Sequence, residues 1–264
     1  MSIIIPVYND PKNIAQCLAA LLPTLGTNDE VIVVNDASID NTAKVVAQFP
    51  VALIELETNS GPAAARNAGG RRAKHDILFF IDADILVHKD TLDKIKAYFK
   101  KHTVDALIGS YDTEPTQQNF ISQYKNLSHH YVHQQADKIA KTFWGACGAI
   151  RKSTFQAVDG FSEAYRRPSI EDIELGYRLV AQGKNIHLVK EIQVTHTKKW
   201  TLTSLIRTDL FDRAIPWTTL MMKQKSLNND LNTDYKQRLS LVLVWLSGIF
   251  LALGFFSSIF WLFA

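Results

Sequence analysis

A chain of 264 residues is long enough to bury one large core and carry an appendage. Its formal net charge of +3, with no block of lysines and arginines, is too weak a footprint for nucleic acid, and no such partner is expected. Cys17 and Cys147 lie far apart in apolar surroundings, which fits buried reduced thiols in a reducing compartment better than a disulfide or a metal site.

No basic stretch and apolar core of a secretory signal precede the first strand, so none is expected. Ser2 to Val7 reads as a short apolar strand, after which Asp10 caps a helix opened by Pro11 with Ile14, Leu18, Leu21 and Leu22 on one face. Val31 to Asn35 is a second buried strand, Asp40-Asn41-Thr42 opens another helix, and Val51 to Leu56 is a third strand. The turn Asn59-Ser60-Gly61-Pro62 feeds a small-residue helix from Ala63 to Ala73, whose alanines and glycines permit close packing on a sheet. Ile77 to Ile81 is a continuous apolar run, the pattern of a strand buried on both faces, and it runs straight into Asp82-Ala83-Asp84.

This strand and helix alternation predicts an α/β fold with a mostly parallel sheet and helices on both faces. Asp82 and Asp84 then sit on the carboxyl rim, where open α/β sheets bind ligands. Two carboxylates there suit a hard divalent cation that keeps positions open for phosphate oxygens. An isolated Asp-x-Asp reads more readily as a helix cap beside a solvated carboxylate, so the pair needs the rest of the pattern. No Gly-x-Gly-x-x-Gly follows a strand and no Gly-x-x-x-x-Gly-Lys-Ser/Thr occurs, which counts against dinucleotide oxidoreductases and P-loop NTPases.

Asp90 is expected to cap a helix to about Lys101, followed by a strand from Val104 to Ser110 and a helix from Phe120 to Gln135. On that helix His129 and His133 are spaced for Zn2+, yet no third ligand is near, and a polar helix face is the plainer reading. Phe143 to Ile150 is apolar and glycine-containing, Asp159-Gly160-Phe161 is a turn, and Ser169 to Leu175 begins a helix that Gly183 ends. Glu171 and Asp172 fall in its first turn, where the helix dipole alone favours acids. Ile186 to Val189 is the last strand, and Val194-Thr195-His196 leads out of the domain.

From Thr201 to Met222 the pattern is amphipathic and reads as an interfacial helix. Residues 239–264 carry no charge and are long enough to span a bilayer core, which takes about 20 residues. Lys236 and Arg238 just before them place the N-terminal domain on the cytoplasmic side of a cell inner membrane. The expected organisation is a catalytic domain over 1–200, a membrane-interface segment over 201–238 and a transmembrane helix over 239–264.

In order and spacing these pieces resemble the inverting family 2 glycosyltransferases of GT-A fold, over about residues 2 to 198. The resemblance is carried by Ser2-Ile3-Ile4-Ile5-Pro6-Val7-Tyr8-Asn9, Val33-Val34-Asn35-Asp36-Ala37-Ser38, Gly61 to Gly69, Asp82-Ala83-Asp84, Gly145 to Ile150, Gly160-Phe161 and Glu171-Asp172. It implies that Pro6, Tyr8, Asp36, Arg66 and Asp82 serve the nucleotide-sugar donor, UDP- or GDP-linked. It further implies that Asp84, with Asp82 and His196, binds Mg2+ or Mn2+, and that Asp172 is the catalytic base. The processive Gln-x-x-Arg-Trp motif is replaced by Asp212-Arg213-Ala214-Ile215-Pro216-Trp217, which favours transfer of a single sugar. With the membrane segments, the expected acceptor is lipid-linked, a polyisoprenyl phosphate or glycolipid whose phosphate Arg166 and Arg167 could meet. The competing readings are a sugar-phosphate nucleotidyltransferase, disfavoured by the lack of a Gly-x-Gly-Thr-Arg loop, and a membrane-anchored nucleotide-sugar-binding pseudoenzyme.

Overall fold

The computed structural model describes residues 1–224, 239–240, 242–251 and 253–254. Its centre is a parallel array in which β1 (Ser2–Val7) lies between β2 (Glu30–Asn35) and β4 (Ile77–Ile81), with β3 (Ala52–Glu55) outside β2. Alternation along these buried strands splits the core into two layers. Ile3, Ile5, Phe79 and Ile81 point to the side of α1 (Pro11–Leu21) and α4 (Thr91–Lys101). Ile4, Leu78 and Phe80 point to the side of α3 (Pro62–Arg72), where Phe80 meets the rings of Phe143, Phe155 and Phe161.

The close packing expected of α3 is seen at Gly69, where an added Cβ would sit 2.4 Å from Ile4 Cγ2. Asp10 caps α1 by accepting from Asn13 N at 3.2 Å. Asp90 stands before α4 but makes no capping bond; its carboxylate pairs with Lys94 at 2.8 Å instead.

The sheet is mixed rather than mostly parallel. After β5 (Ile85–Val87) and β6 (Ala106–Tyr111), the helix α5 (Phe120–Gln135) carries the chain away from the rim to β7 (Ile139–Ala140), which pairs with the start of β9, and residues 141–146 bring it back to the rim where β4 ends. β8 (Cys147–Arg151) must therefore run backwards, antiparallel to both β4 and β6. The short α2 (Thr42–Val46) and α6 (Lys152–Ala157) complete the layers, and α7 (Glu171–Ala181) ends at Gly183, which has φ +72°. The last strand is longer than its apolar start indicates: β9 (Ile186–His196) runs parallel to β6, shifts register once, and pairs antiparallel with β5.

Beyond it, α8 (Leu202–Arg207), a π-helical stretch (Thr208–Ala214) and α9 (Ile215–Gln224) replace the single interfacial helix expected there. Trp217 and Leu220 of that segment pack on Ile170 and Tyr177, because the indole N–H finds an acceptor in the Tyr177 hydroxyl at 2.8 Å. Leu202, Ile206, Leu210, Phe211 and Ile215 remain exposed. Among the described residues no helix is long and apolar enough to cross a membrane. The expected span over 239–264 falls partly on residues 241, 252 and 255–264, and the interface segment partly on 225–238, all outside the described residues.

Candidate active site

The topology brings one rim together. β1, β2 and β4 end there, β8 starts there antiparallel to β4, and β6 and β9 end there in parallel. A cavity of about 660 Å3 opens along it, and it is lined by Pro6, Tyr8, Asp36, Arg66, Asp82, Asp84, Asp172 and His196, every site residue read from the sequence. Arg166 and Arg167 line it as well, exposed on the loop before α7.

On the β1 and β2 side, Asp36 is buried and accepts from the backbone N–H groups of Ser60 and Gly61, each at 2.8 Å. Gly61 holds φ +90° at the entry to α3, and a Cβ there would lie 2.6 Å from the Arg166 backbone, so this glycine lets the α7 loop close on the start of α3.

Arg66 occupies the floor. Its guanidinium is buried between Asp82 Oδ1 at 2.7 Å and Glu171 Oε1 at 2.9 Å, with Nε left unpartnered. The two carboxylates outweigh burial and push the guanidinium pKa above its ordinary value. Arg66 lines the cavity and also ties β4 to the first turn of α7, because a buried guanidinium needs carboxylate partners. Asp82 gives it one oxygen.

Asp84 is placed differently. The β5 and β9 pairing sets Ile85 opposite His196, and Thr197 N donates to the Asp84 carbonyl at 2.9 Å. His196 Nε2 thereby stands 3.3 Å from Asp84 Oδ2. Burial would raise the Asp84 pKa, but the hydrogen bond and charge of His196, with Lys198, bring it below its usual value. Asp84 and His196 together are a nitrogen and oxygen donor pair, with Asp82 adjacent. Among the described residues no group of three or more His, Cys, Asp or Glu side chains converges as a complete metal site. A pair of protein donors that leaves positions for phosphate oxygens is the arrangement a nucleotide-bound cation uses, so the residues fit an ion shared with a ligand.

Asp172 faces the cavity from the first turn of α7. Gly145 N donates to its Oδ2 at 2.9 Å, which explains why the glycine-bearing segment before β8 belongs to the site. Burial and then the Glu171 charge raise its pKa from 3.8 to about 6, against the lowering influence of Gly145, Arg66 and Arg213. A carboxyl tuned toward neutrality can take a proton and keep it through a reaction step. Glu171 itself accepts from Ser169 N at 2.9 Å and from Arg66.

Among the described residues His129 and His133 are joined by no third metal ligand. Their rings lie 4.2 Å apart against Trp144, burial lowers both pKa values, and His133 Nδ1 donates to the Gly109 carbonyl at 2.9 Å. Residues that sequence reasoning missed are Asn126, which meets His196, Tyr111, which stacks on it, and the cavity-lining Lys198 and Arg213. Asn126 and Tyr111 lie 70 and more positions from His196 and leave no local signal, and Lys198, two residues after it, stands out by nothing in its type.

Residues 2–159 match the family described as glycosyl transferase family 2, and residues 126–200 match the N-terminal domain of galactosyltransferase. An uncharacterized glycosyltransferase of Haemophilus influenzae is 26% identical over 89% of this chain and 82% of its own length. The poly(ribitol-phosphate) beta-N-acetylglucosaminyltransferase TarS of Staphylococcus aureus is 34% identical over 40% of this chain, which spans only 20% of TarS. Among solved structures, the mannosyltransferase PcManGT from Pyrobaculum calidifontis, in complex with GDP-Man and Mn2+, superposes with a TM-score of 0.63 at 20% identity, covering 78% of this chain and 59% of that one. TarS 1-349 in complex with UDP-GlcNAc superposes with a TM-score of 0.59 at 24% identity, covering 76% and 59%. These neighbours share the GT-A fold. With the family matched over more than half its length, the chain belongs to glycosyl transferase family 2.

Proposed function

We propose that the protein is an inverting glycosyltransferase that moves one sugar from a UDP- or GDP-linked donor to an acceptor hydroxyl or phosphate. The observation that carries this reading is the division of the cleft. Asp84 and His196 offer a cation site on one wall, and Asp172, tuned to about 6, faces the cavity from the α7 wall with no nucleophilic side chain needed between them. Inversion in one displacement requires one base and a stabilised leaving diphosphate.

Asp172 takes the proton of the acceptor hydroxyl as that oxygen attacks the anomeric carbon. Mg2+ or Mn2+ held by Asp84 and His196, with Asp82 adjacent, would supply charge stabilisation to the departing diphosphate. Asp36, Pro6 and Tyr8 bind the nucleoside, each Asp36 oxygen keeping a lone pair for a ribose hydroxyl or base N–H beyond its backbone donor. Arg66 acts through Asp82 and Glu171, and Arg166 and Arg167 lie where an acceptor or donor phosphate would pass. The donor complexes of PcManGT and TarS support a sugar nucleotide as substrate.

The acceptor side is read as lipid-linked at the cytoplasmic membrane face. Supporting this are the exposed apolar residues of α8, the π-helical stretch and α9, the uncharged sequence of 239–264, and the outward line Phe120, Tyr124, Leu127 and Tyr131 on α5. The test of the central reading is a panel of UDP- and GDP-sugars with Mn2+, scored for release of UDP or GDP and for donor affinity. Wild type should turn over one of them and Asp172→Asn should lose about 10² to 10⁴ in rate with donor affinity retained. Turnover within a few fold of wild type in Asp172→Asn would remove the carboxylate from the chemistry.

A further inference from the structure

Helix α5 has its polarity reversed. Its buried line is Ser122, Asn126 and His133, while its apolar residues Phe120, Tyr124, Leu127 and Tyr131 face outward. A polar line inside a protein must find hydrogen-bond partners, and each of these does. Trp200 N donates to Ser122 Oγ at 2.7 Å, His133 Nδ1 donates to the Gly109 carbonyl, and Asn126 Nδ2 donates to the Ser122 carbonyl at 2.9 Å.

The last of these bonds fixes a proton elsewhere. A carbonyl can only accept, so the nitrogen end of the Asn126 amide faces Ser122 and the oxygen end faces His196. Asn126 Oδ1 lies 2.7 Å from His196 Nδ1, and this oxygen also can only accept. His196 Nδ1 therefore carries a hydrogen. In the protonated ring Nε2–H donates to Asp84 Oδ2 across 3.3 Å, and in the neutral ring the same Nε2 carries the lone pair that aims at it. A cation that takes this lone pair stands where that proton would be, between Asp84 and His196. The Tyr111 ring, stacked at 4.7 Å and 7° from the imidazole plane, holds the ring in that attitude.

We propose that Asn126 is a positioning residue that locks His196 in its Nδ1–H form, aims Nε2 at the cation and thereby biases the site toward Mn2+ over Mg2+. The hydrogen bond on one imidazole nitrogen decides which nitrogen is free to ligate. Imidazole nitrogen suits later first-row ions, whereas Mg2+ favours an all-oxygen shell. Asn126 is 70 residues from His196 in sequence and touches neither donor nor acceptor in the proposed reaction. The inference rests on the metal-dependent reading above.

The experiment has a spectroscopic arm and a binding arm. Long-range 1H–15N correlation spectra of the full chain, labelled at histidine and assigned with His196→Gln, should show His196 as the Nδ1–H tautomer without metal. Asn126→Leu should abolish that pattern, and Asn126→Asp, which keeps an acceptor opposite Nδ1, should retain it. Calorimetry with Mn2+ and with Mg2+, in the presence of whichever of UDP or GDP thermally stabilises wild type, reads the second arm. Asn126→Leu should weaken Mn2+ binding about 10- to 100-fold and leave Mg2+ binding within about threefold, the latter also showing that the variant is folded; Asn126→Asp should recover Mn2+ affinity. An Nε2–H tautomer in wild type, or equal losses for both ions, overturns the assignment of Asn126. Failure of wild type to bind Mn2+ at all overturns the metal reading, and the inference falls with it. If Asn126→Leu does not fold, the wild-type spectrum and the Asn126→Asp titration still decide the outcome.

Discussion

In the proposed reaction, Asp172 is the residue whose environment matters most. Its carboxyl is raised to about 6 by burial and by Glu171, and Arg66 pulls it the other way. Turnover should therefore rise with pH through an apparent value near 6, where the base becomes ionised. Glu171→Gln removes a raising charge and should move that midpoint down, while Arg66→Met removes a lowering charge and should move it up. A pH–rate profile of both variants checks the opposite signs. Arg66→Met should also cost about 3 kcal/mol in denaturant unfolding, because it leaves the buried Glu171 carboxylate uncompensated, while the partly exposed Asp82 is screened by water. Stability carries a linked signature. The folded state binds the Asp172 proton more tightly than the unfolded state, whose value is near 3.8, so this group's contribution falls as pH rises from about 4 to 6. Asp172→Asn should accordingly melt no lower than wild type at pH 7 while being nearly inactive, a trade between stability and function.

At the level of elements, the junction of α3 with β1 sets how near Arg66 can come to Asp82. Gly69 allows it, since a methyl there would fall 2.4 Å from Ile4 Cγ2. Two effects oppose each other in Gly69→Ala. Helix propensity gains about 0.8–1 kcal/mol, and overpacking costs about 1–3 kcal/mol. The clash is against a fully buried strand side chain, so the loss should win by about 1 kcal/mol or more in urea unfolding. A gain in stability would show that α3 can lift off the sheet freely. The segment from α8 to α9 divides its apolar residues between two tasks: Trp217 and Leu220 pack on α7, while Ile206 and Phe211 stay exposed. If the exposed set meets lipid, Ile206→Glu with Phe211→Glu in the full chain should reduce flotation with anionic vesicles several fold and leave turnover of a soluble acceptor unchanged. Equal flotation of the double variant would remove this surface from membrane binding.

For the whole molecule, Cys17 on α1 and Cys147 on β8 lie in the same core layer, the one under α1 and α4, and both thiols are fully buried and unpaired by a disulfide. Burial raises both pKa values, Cys147 to about 12, so neither is a thiolate at neutral pH. Native protein should resist a thiol reagent such as DTNB, and both cysteines should react at the rate of global unfolding. Fast labelling of either in native buffer would reveal a local opening of α1 or of β8. Removal of divalent ions by EDTA should lower donor affinity without lowering the unfolding midpoint of the ligand-free protein, because Asp84 is already compensated by His196.

The strands Ser2–Val7, Glu30–Asn35 and Ile77–Ile81, and the helix Phe120–Gln135, were legible because burial on two faces and helical periodicity are written locally in residue type. Asp84 stood out as a carboxylate at the end of an apolar run, but Asp172 sits where any helix start favours an acid, and only the family resemblance singled it out. What was not legible depended on pairing between distant segments. The direction of β8 follows from the return of residues 141–146 to the rim after β7, and β5 is a three-residue strand visible only through its partner β9. The embrace of Arg66 by Asp82 and Glu171, and the proton on His196 set by Asn126, join residues 16 to 105 positions apart. Sequence fixes which groups are present and their local backbone. Their charges and protons are decided by burial and by neighbours, and those exist only once the sheet has closed.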